Sequence, residues 1–127
     1  MILSFKKQFL EKILSGSKVH TIREDLHGRW KPGRKIHIAT GVRTKKYNCF
    51  KESECISVQS IHINYYNVGA FNKRTEIVID GEVVLDRDSE WVEIIAKNDG
   101  FESVDDFFKW FNSDFQGKII HWTNLKY

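Results

Sequence analysis

The dipeptide Asp80-Gly81 constrains the fold of this chain more than any other short feature of its sequence. It stands between two apolar runs, Ile77-Val78-Ile79 and Val83-Val84-Leu85. An aspartate followed by glycine favours the positive φ angles that tight hairpin turns need. The sequence therefore predicts an antiparallel hairpin from Thr75 to Leu85.

The residues before the hairpin predict one helix followed by short strands. Ser4 is expected to cap a helix with apolar residues at helical spacing, and Gly16 is the expected left-handed end of that helix. Strands are expected over His20 to Glu24 and over Lys35 to Ala39. Their inward-facing residues are predicted to be Ile22, Ile36 and Ile38.

The region from Thr40 to Arg74 is harder to interpret. We expect one or two strands and a long polar loop there, with Ile56, Val58 and Ile61 marking a rough alternation after Cys55.

Two helices and a final strand are predicted after the hairpin. Ser89 and Ser103 are suited to be N-caps, Gly100 to end the first of these helices, and Lys118 to Trp122 to form the strand. Because strands and helices do not alternate, the pattern favours an α+β fold rather than a doubly wound parallel sheet. We expect a small, curved or barrel-like, mostly antiparallel sheet flanked by about three helices.

The length and composition of the chain indicate one ordinary globular domain. A chain of 127 residues can build one hydrophobic core. No apolar run approaches the roughly 18 residues of a membrane span, and lysines interrupt the first apolar stretch. We therefore expect a cytoplasmic protein with no membrane partner, in which Cys49 and Cys55 are reduced, unbridged thiols that bind no metal.

Charge is distributed unevenly along the chain. Residues 17–46 contain nine Lys or Arg and two acids, whereas residues 80–114 contain eleven acids and three bases. A basic half suggests an anionic partner such as RNA or a nucleotide, because lysine and arginine displace counterions from phosphates. Two solvated faces without a partner are the alternative interpretation of the same charges.

The stretch from Gly16 to Arg23 is the most informative for chemistry. A helix end, a glycine and the start of a strand bring its polar side chains to one rim. If Ile22 faces the core, strand alternation places Thr21 and Arg23 together on the opposite face. Arg23 is then available to clamp a phosphate or carboxylate, with Lys18 as a second cation, unless these are ordinary surface charges.

A set of short motifs lies at both ends of the chain: Ile2-Leu3-Ser4-Phe5, Ile13 to Lys18, Thr21-Ile22-Arg23, Pro32-Gly33, Ala96 to Phe101, Ser103, Phe107, Trp110-Phe111 and Ile119 to Trp122. Together these motifs resemble the ASCH domain, a branch of the PUA-like β-barrel superfamily. The resemblance weakens between Thr40 and Arg74.

This resemblance implies a single domain with a pseudobarrel and a cleft beside the Lys-x-x-Thr-Ile-Arg strand. Members of the family are generally proposed to bind RNA or nucleotides, and some resemble small amidohydrolases that deacetylate N4-acetylcytidine with a lysine, a threonine and a glutamate. The matching residues here are Lys18, Thr21 and Asp99, an aspartate in place of the glutamate. Asp99 is equally consistent with a residue that simply ends a helix before Gly100.

Lys18 and Thr21 are residue types that can act together as a base and a nucleophile. A threonine hydroxyl becomes nucleophilic beside a base, and lysine can be that base if burial or a neighbouring cation lowers its pKa. The first hypothesis is nevertheless a module that binds RNA or a nucleotide in this cationic cleft, and the amidohydrolase and a metal-independent ribonuclease at the same cleft are its alternatives. Further contacts to RNA or substrate are expected from Arg23, Arg29, Trp30, Lys31, Arg43, Lys45 and Lys46. Since no metal-ligand spacing links the histidines to the cysteines, neither a metal nor another cofactor is expected.

Overall fold

The computed structural model describes residues 1–67 and 73–127. Residues 68–72, part of the uncertain region from Thr40 to Arg74, lie outside this description. The described residues form three helices, α1 (Leu10–Ser15), α2 (Glu90–Asn98) and α3 (Val104–Trp110), and a 3-10 turn (Lys7–Phe9) precedes α1. The strands are β1 (Ile2–Phe5), β2 (His20–Arg23), β3 (Lys35–Thr40), β4 (Asn48–Glu54), β5 (Ser57–Asn67), β6 (Lys73–Ile79), β7 (Val83–Asp86) and β8 (Phe115–His121).

The described strands form two sheets. The smaller sheet has the order β1-β3-β4, in which β1 runs parallel to β3 and β4 runs antiparallel to it. The larger sheet has the order β2-β8-β5-β6-β7 and is antiparallel throughout. The predicted α+β class and the mostly antiparallel pairing are therefore confirmed. No closed barrel is found among the strands of residues 1–67 and 73–127.

The prediction for the N-terminal helix was wrong at its start. Ser4 lies in β1, paired with Ala39 of β3, and α1 begins only at Leu10. Alternation explains the difference, because Leu3 and Phe5 are buried while Ile2 and Ser4 are exposed, which is the period of a strand. The predicted end of the helix is confirmed, since Gly16 has a left-handed φ of 85°.

The hairpin at Asp80-Gly81 is confirmed. Ile79 pairs with Val83 across a three-residue loop. Asp80 and Gly81 have φ angles of 54° and 70°, so both take the left-handed conformation that the dipeptide favours. The Asp80 carboxylate also accepts hydrogen bonds from the Ser60 backbone amide at 2.9 Å and from the Gln59 side chain at 2.8 Å.

Both later helices begin as predicted. The Ser89 hydroxyl accepts a hydrogen bond from Trp91 N, and the Ser103 hydroxyl accepts one from Asp106 N. Each bond satisfies a backbone donor that has no partner within its helix. The two helices present their apolar faces, including Val92, Ile95, Phe107 and Phe108, to the core.

One hydrophobic core is shared by the helices and both sheets. Ile22, Ile36 and Ile38 are buried in it as predicted, together with Ile61 and Ile63 of β5. Ile56 is a correction, since it precedes β5 and is exposed. Among the residues that the structure describes, no helix is long and apolar enough to cross a membrane.

Candidate functional site

A cavity of about 330 Å³ opens where β1, β2 and the end of α2 meet. The sequence-predicted residues Lys18, Thr21, Arg23 and Asp99 all line it. Its remaining lining residues are Ser4, Phe5, Lys6, Phe9, Ile22, Phe101, Trp110 and Phe111. The cavity therefore combines aromatic walls with a few polar groups, as small-molecule sites usually do.

Two turns deliver Lys18 and Asp99 to this cavity from distant parts of the chain. After Gly16, Lys18 N donates to Lys12 O at 2.9 Å, and Val19 N donates to Asn98 O at 2.9 Å. The second bond joins the segment that enters β2 directly to the C-terminus of α2. Asp99 is the C-cap residue that directly follows that helix, so its side chain is held beside Lys18.

Gly100 allows the lysine to pass close to the helix end. It has a φ of 93°, and a Cβ atom built there would lie 2.9 Å from Lys18 Cδ and 3.0 Å from a Phe9 ring carbon. Those distances are too short for an unadjusted contact. Glycine is thus required here for two reasons, the left-handed backbone and the space taken by the lysine stem.

The Lys18 ammonium group is enclosed. Lys18 Nζ donates to Asp99 Oδ1 at 3.1 Å and to the Asp99 backbone carbonyl at 2.5 Å. It also lies 4.9 Å from the centre of the Phe9 ring and 5.5 Å from that of Phe5. Burial lowers the pKa of Lys18 below its usual value, and Asp99 opposes that effect by stabilising the charged form.

Asp99 is also hydrogen-bonded to His20. His20 Nδ1 lies 3.2 Å from Asp99 Oδ1, and its Nε2 lies 2.7 Å from the Tyr127 hydroxyl. Burial lowers the pKa of His20, so the ring is neutral. A neutral ring fits the contacts if Nδ1–H donates to the carboxylate and the Tyr127 hydroxyl donates to Nε2. Asn98 Nδ2 in turn donates to the Tyr127 oxygen at 3.1 Å.

Arg23 and Thr21 form the other side of the site. Arg23 Nε donates to Thr21 Oγ1 at 3.2 Å, and a terminal nitrogen of Arg23 donates to the Ser4 backbone carbonyl. The guanidinium carbon lies 4.9 Å from the centre of the Phe5 ring. Burial lowers the pKa of Arg23, but an arginine remains a cation at neutral pH. The threonine hydroxyl, having accepted from Arg23, keeps its own proton free for donation.

Two of the other residues expected to contact RNA or substrate adjoin this cavity. Arg29 and Trp30 line a groove of about 250 Å³ that also includes Ser4 and Arg23. The Asp25 carboxylate holds this loop by accepting hydrogen bonds from Arg29 N at 2.7 Å and Trp30 N at 3.1 Å.

The remaining basic residues lie elsewhere. Lys46 lines a different groove with Lys7 and Thr40, and Lys31, Arg43 and Lys45 are exposed. Among the aromatic residues, Trp30, Phe50 and Tyr65 pack partly against the core, whereas Tyr47 and Tyr66 are exposed. The structure thus gathers Lys18, Thr21 and Arg23 at one site but not the whole basic segment.

Sequence reasoning missed two contributors to the site. Strand alternation places His20 on the same side of β2 as the buried Ile22, and a buried imidazole needs polar partners, so the sequence carried a usable signal. No sequence signal pointed to Tyr127, because nothing in its local sequence indicates that it packs against β2.

Comparisons with known proteins find no match to this chain. The chain matches no protein-family model, and searches of curated proteins and of solved structures find no significant similarity either.

Proposed function

We propose that the protein is a small amidohydrolase that removes an acyl group from a modified nucleoside, with Lys18, Thr21 and Asp99 as its catalytic residues. The observation that carries this proposal is that the buried Lys18–Asp99 pair and the Thr21 hydroxyl, which accepts a hydrogen bond from Arg23, line the same cavity of about 330 Å³. That volume lies at the small end of ligand pockets, of roughly 300 to 1,000 Å³, and suits one nucleobase with a small substituent.

The proposed reaction begins with the Thr21 hydroxyl. Its oxygen attacks the acyl carbon of the substrate amide while its proton passes to the neutral form of Lys18 Nζ. Breakdown of the tetrahedral intermediate breaks the C–N bond, and Lys18 returns the proton to the leaving amine. An ester on Thr21 remains, and the free nucleoside leaves.

Water completes the proposed cycle. Lys18 takes a proton from a water molecule whose oxygen attacks the ester carbon, and the proton then returns to Thr21 Oγ1 as the acid departs. Asp99 stabilises the lysine whenever it is protonated, and Arg23, already donating to Thr21 Oγ1 at 3.2 Å, stabilises negative charge on that oxygen. Lowering of the Lys18 pKa by burial favours the neutral amine that the first step needs.

The family resemblance fits this proposal. β1 and β2 are edge strands of the two sheets, and the hydrogen bond from Arg23 to Ser4 joins them. Two sheets that approach along such edges are compatible with the PUA-like pseudobarrel and with membership of the ASCH family. The cleft would then lie beside the Lys-x-x-Thr-Ile-Arg strand, as the resemblance implies.

The test is turnover of N4-acetylcytidine by the purified protein, followed by chromatography of the nucleoside and by acetate release. Thr21→Val removes the hydroxyl with little change in shape, and Lys18→Met removes the base; each should lower kcat by at least about 100-fold. Thr21→Ser keeps a hydroxyl and should retain part of the activity. Thr44→Val, at an exposed threonine, is the control.

Either of two outcomes would contradict the amidohydrolase proposal. Lack of acetate release by the folded wild-type protein, or a Thr21→Val variant as active as wild type, would reject the amidohydrolase.

RNA or nucleotide binding is the second candidate function. The groove at Arg29 and Trp30 favours it, because it continues from the cavity through their shared residues Ser4 and Arg23. A base in the cavity would leave its neighbouring phosphate or base near a cation and an indole ring. Retention of single-stranded RNA without loss of substrate would support this function, and cleavage of that RNA would instead indicate the ribonuclease.

A further inference from the structure

Three side chains with metal-binding atoms meet on the smaller sheet, on β3 and β4. His37 Nδ1 lies 3.5 Å from Glu52 Oε1 and 3.9 Å from Cys49 Sγ. The three ligand atoms all lie within 4.8 Å of one another. None of these residues lines the cavity around Lys18 and Thr21.

A β-bulge creates this cluster. His37 pairs directly with Glu52, but the register shifts between Ile38 and Ala39, so that Ala39 pairs with Cys49 and Phe50 is the extra residue of β4. In a regular strand, residues 49 and 52 would point to opposite faces. The inserted residue reverses that relation and places Cys49 on the same face as His37 and Glu52, as bulges commonly re-aim side chains.

Two of the three separations are close to those of a tetrahedral ion. Bonds of about 2.3 Å to a thiolate sulfur and about 2.0 Å to nitrogen or oxygen separate sulfur from nitrogen by about 3.5 Å, and nitrogen from oxygen by about 3.3 Å, at a tetrahedral angle. The observed separations of 3.9 Å and 3.5 Å exceed these by only a few tenths of an ångström, and Cys49 Sγ lies within 4.8 Å of the Glu52 carboxylate. Side-chain rotations, chiefly of the exposed Glu52, would bring the three atoms into contact with one ion.

We propose that His37, Cys49 and Glu52 form a binding site for a divalent transition metal, Zn²⁺ by preference. A thiolate and an imidazole select against Mg²⁺ and Ca²⁺, which prefer oxygen ligands. Three protein ligands leave the fourth tetrahedral position to water or another ligand, the arrangement of open rather than purely structural zinc sites.

The surroundings give an ion access to these ligands. The His37 side chain is 42% exposed and that of Glu52 is 77% exposed. A groove of about 360 Å³ beside them is lined by Lys35, Ile36, His37, Glu52, Ser53 and Glu54. The Cys49 thiol donates weakly to Lys51 O at 3.7 Å and would exchange that proton for the metal.

The sequence positions of His37, Cys49 and Glu52 match no recognised metal-binding motif. No metal was predicted at Cys49, because no recognised metal-ligand spacing joins it to a histidine. The ligands are contributed by two paired strands, and only the bulge brings Cys49 to the shared face.

The experiment uses the reduced full chain and Co²⁺, which reports thiolate ligation by a charge-transfer absorption. Wild-type protein should bind about one equivalent of Co²⁺ with that absorption, and one equivalent of Zn²⁺ should displace it. Cys49→Ser should abolish the absorption, whereas the buried thiol of Cys55 is retained in that variant. His37→Gln and Glu52→Gln should each weaken Co²⁺ affinity at least about tenfold.

Glu54→Gln is the matched control, because Glu54 is an exposed carboxylate on the same strand and lines the same groove. It should leave Co²⁺ affinity unchanged. The proposal is overturned if wild type shows no charge-transfer absorption, if the absorption survives Cys49→Ser, or if the His37 and Glu52 variants bind as wild type does. Because these readouts need no substrate, they are independent of the amidohydrolase proposal.

Discussion

Lys18 Nζ lies 3.1 Å from Asp99 Oδ1, and their side chains are only 3% and 4% exposed. Removing a charge from water is costly, so such a pair persists only when each member is hydrogen-bonded. Asp99 meets this condition through His20 as well as Lys18, and Lys18 through the Asp99 carbonyl as well as the carboxylate. The two residues therefore depend on each other for stability as well as for chemistry.

Asp99→Asn should destabilise the protein by about 3 to 5 kcal/mol, because it leaves a buried ammonium group without its counter-charge. The double variant Lys18→Met with Asp99→Asn should lose less than the sum of the two single losses. Urea unfolding gives each free energy. Glu102→Gln is the control, since Glu102 pairs with Lys12 at the surface and is 79% exposed. Additive losses in the double variant would contradict this dependence.

Gly100→Ala should be more destabilising than Gly33→Ala. Both glycines are left-handed, with φ angles of 93° and 90°, so both variants carry the same backbone strain of about 1 to 2 kcal/mol. Only at position 100 does the new methyl meet Lys18 and Phe9, since nothing lies within 4 Å of a Cβ at Gly33. Thermal or urea unfolding measures the difference, and equal losses would show that the lysine stem adapts freely.

Acid should destabilise the protein between pH 6.5 and about 4. Burial lowers the pKa of His121 from 6.5 to about 4 and also lowers the pKa of His20. In this window the unfolded imidazoles take up protons that the folded ones resist, so stability falls as the pH falls. His121→Gln should flatten the pH dependence of the urea midpoint, whereas His27→Gln, at an exposed histidine, should not. An unchanged slope in His121→Gln would contradict this assignment.

Tyr127→Phe should cost about 1 to 2 kcal/mol of unfolding free energy. The hydroxyl lies 2.7 Å from His20 Nε2 and 3.1 Å from Asn98 Nδ2, so its removal leaves two polar groups without their partner. Tyr47→Phe removes an exposed hydroxyl and should be close to neutral. The comparison is made by urea unfolding, and similar losses for both variants would mean that water replaces the Tyr127 hydroxyl.

Binding of single-stranded RNA should weaken as the salt concentration rises. Each phosphate contact contributes about 0.7 to the log-log slope, so replacing Lys45 and Lys46 with alanine should flatten the slope if they contact phosphates. Arg23→Ala should lose more affinity because Arg23 borders both the cavity and the adjoining groove. Lys97→Ala, in the acidic half, should change neither quantity. Filter binding across a salt series measures both, and a salt-independent affinity would mean that the basic segment is a solvated surface.

Local sequence was sufficient to predict the structure of short segments whose conformation depends on their own residues. Asp80-Gly81 specified a hairpin through its positive φ angles, and Ser89 and Ser103 specified helix starts through their hydroxyl groups. Ser4 shows the limit of such reasoning. Serine before an apolar stretch suits a helix cap, but pairing with β3 gave Ser4 a strand conformation instead.

The sequence by itself determined the residue types of the candidate site, and the tertiary structure decided what they do together. Lys18, Thr21 and Arg23 could be grouped from strand alternation and a glycine stop, because those effects act over a few residues. The partnership of Lys18 with Asp99, 81 positions apart, required α2 to end against β2. Likewise, the cluster of His37, Cys49 and Glu52 required a bulge in a paired strand. The burial of the Lys18–Asp99 pair and the shifted register of β4 are properties of the packed chain, so neither was readable from sequence spacing.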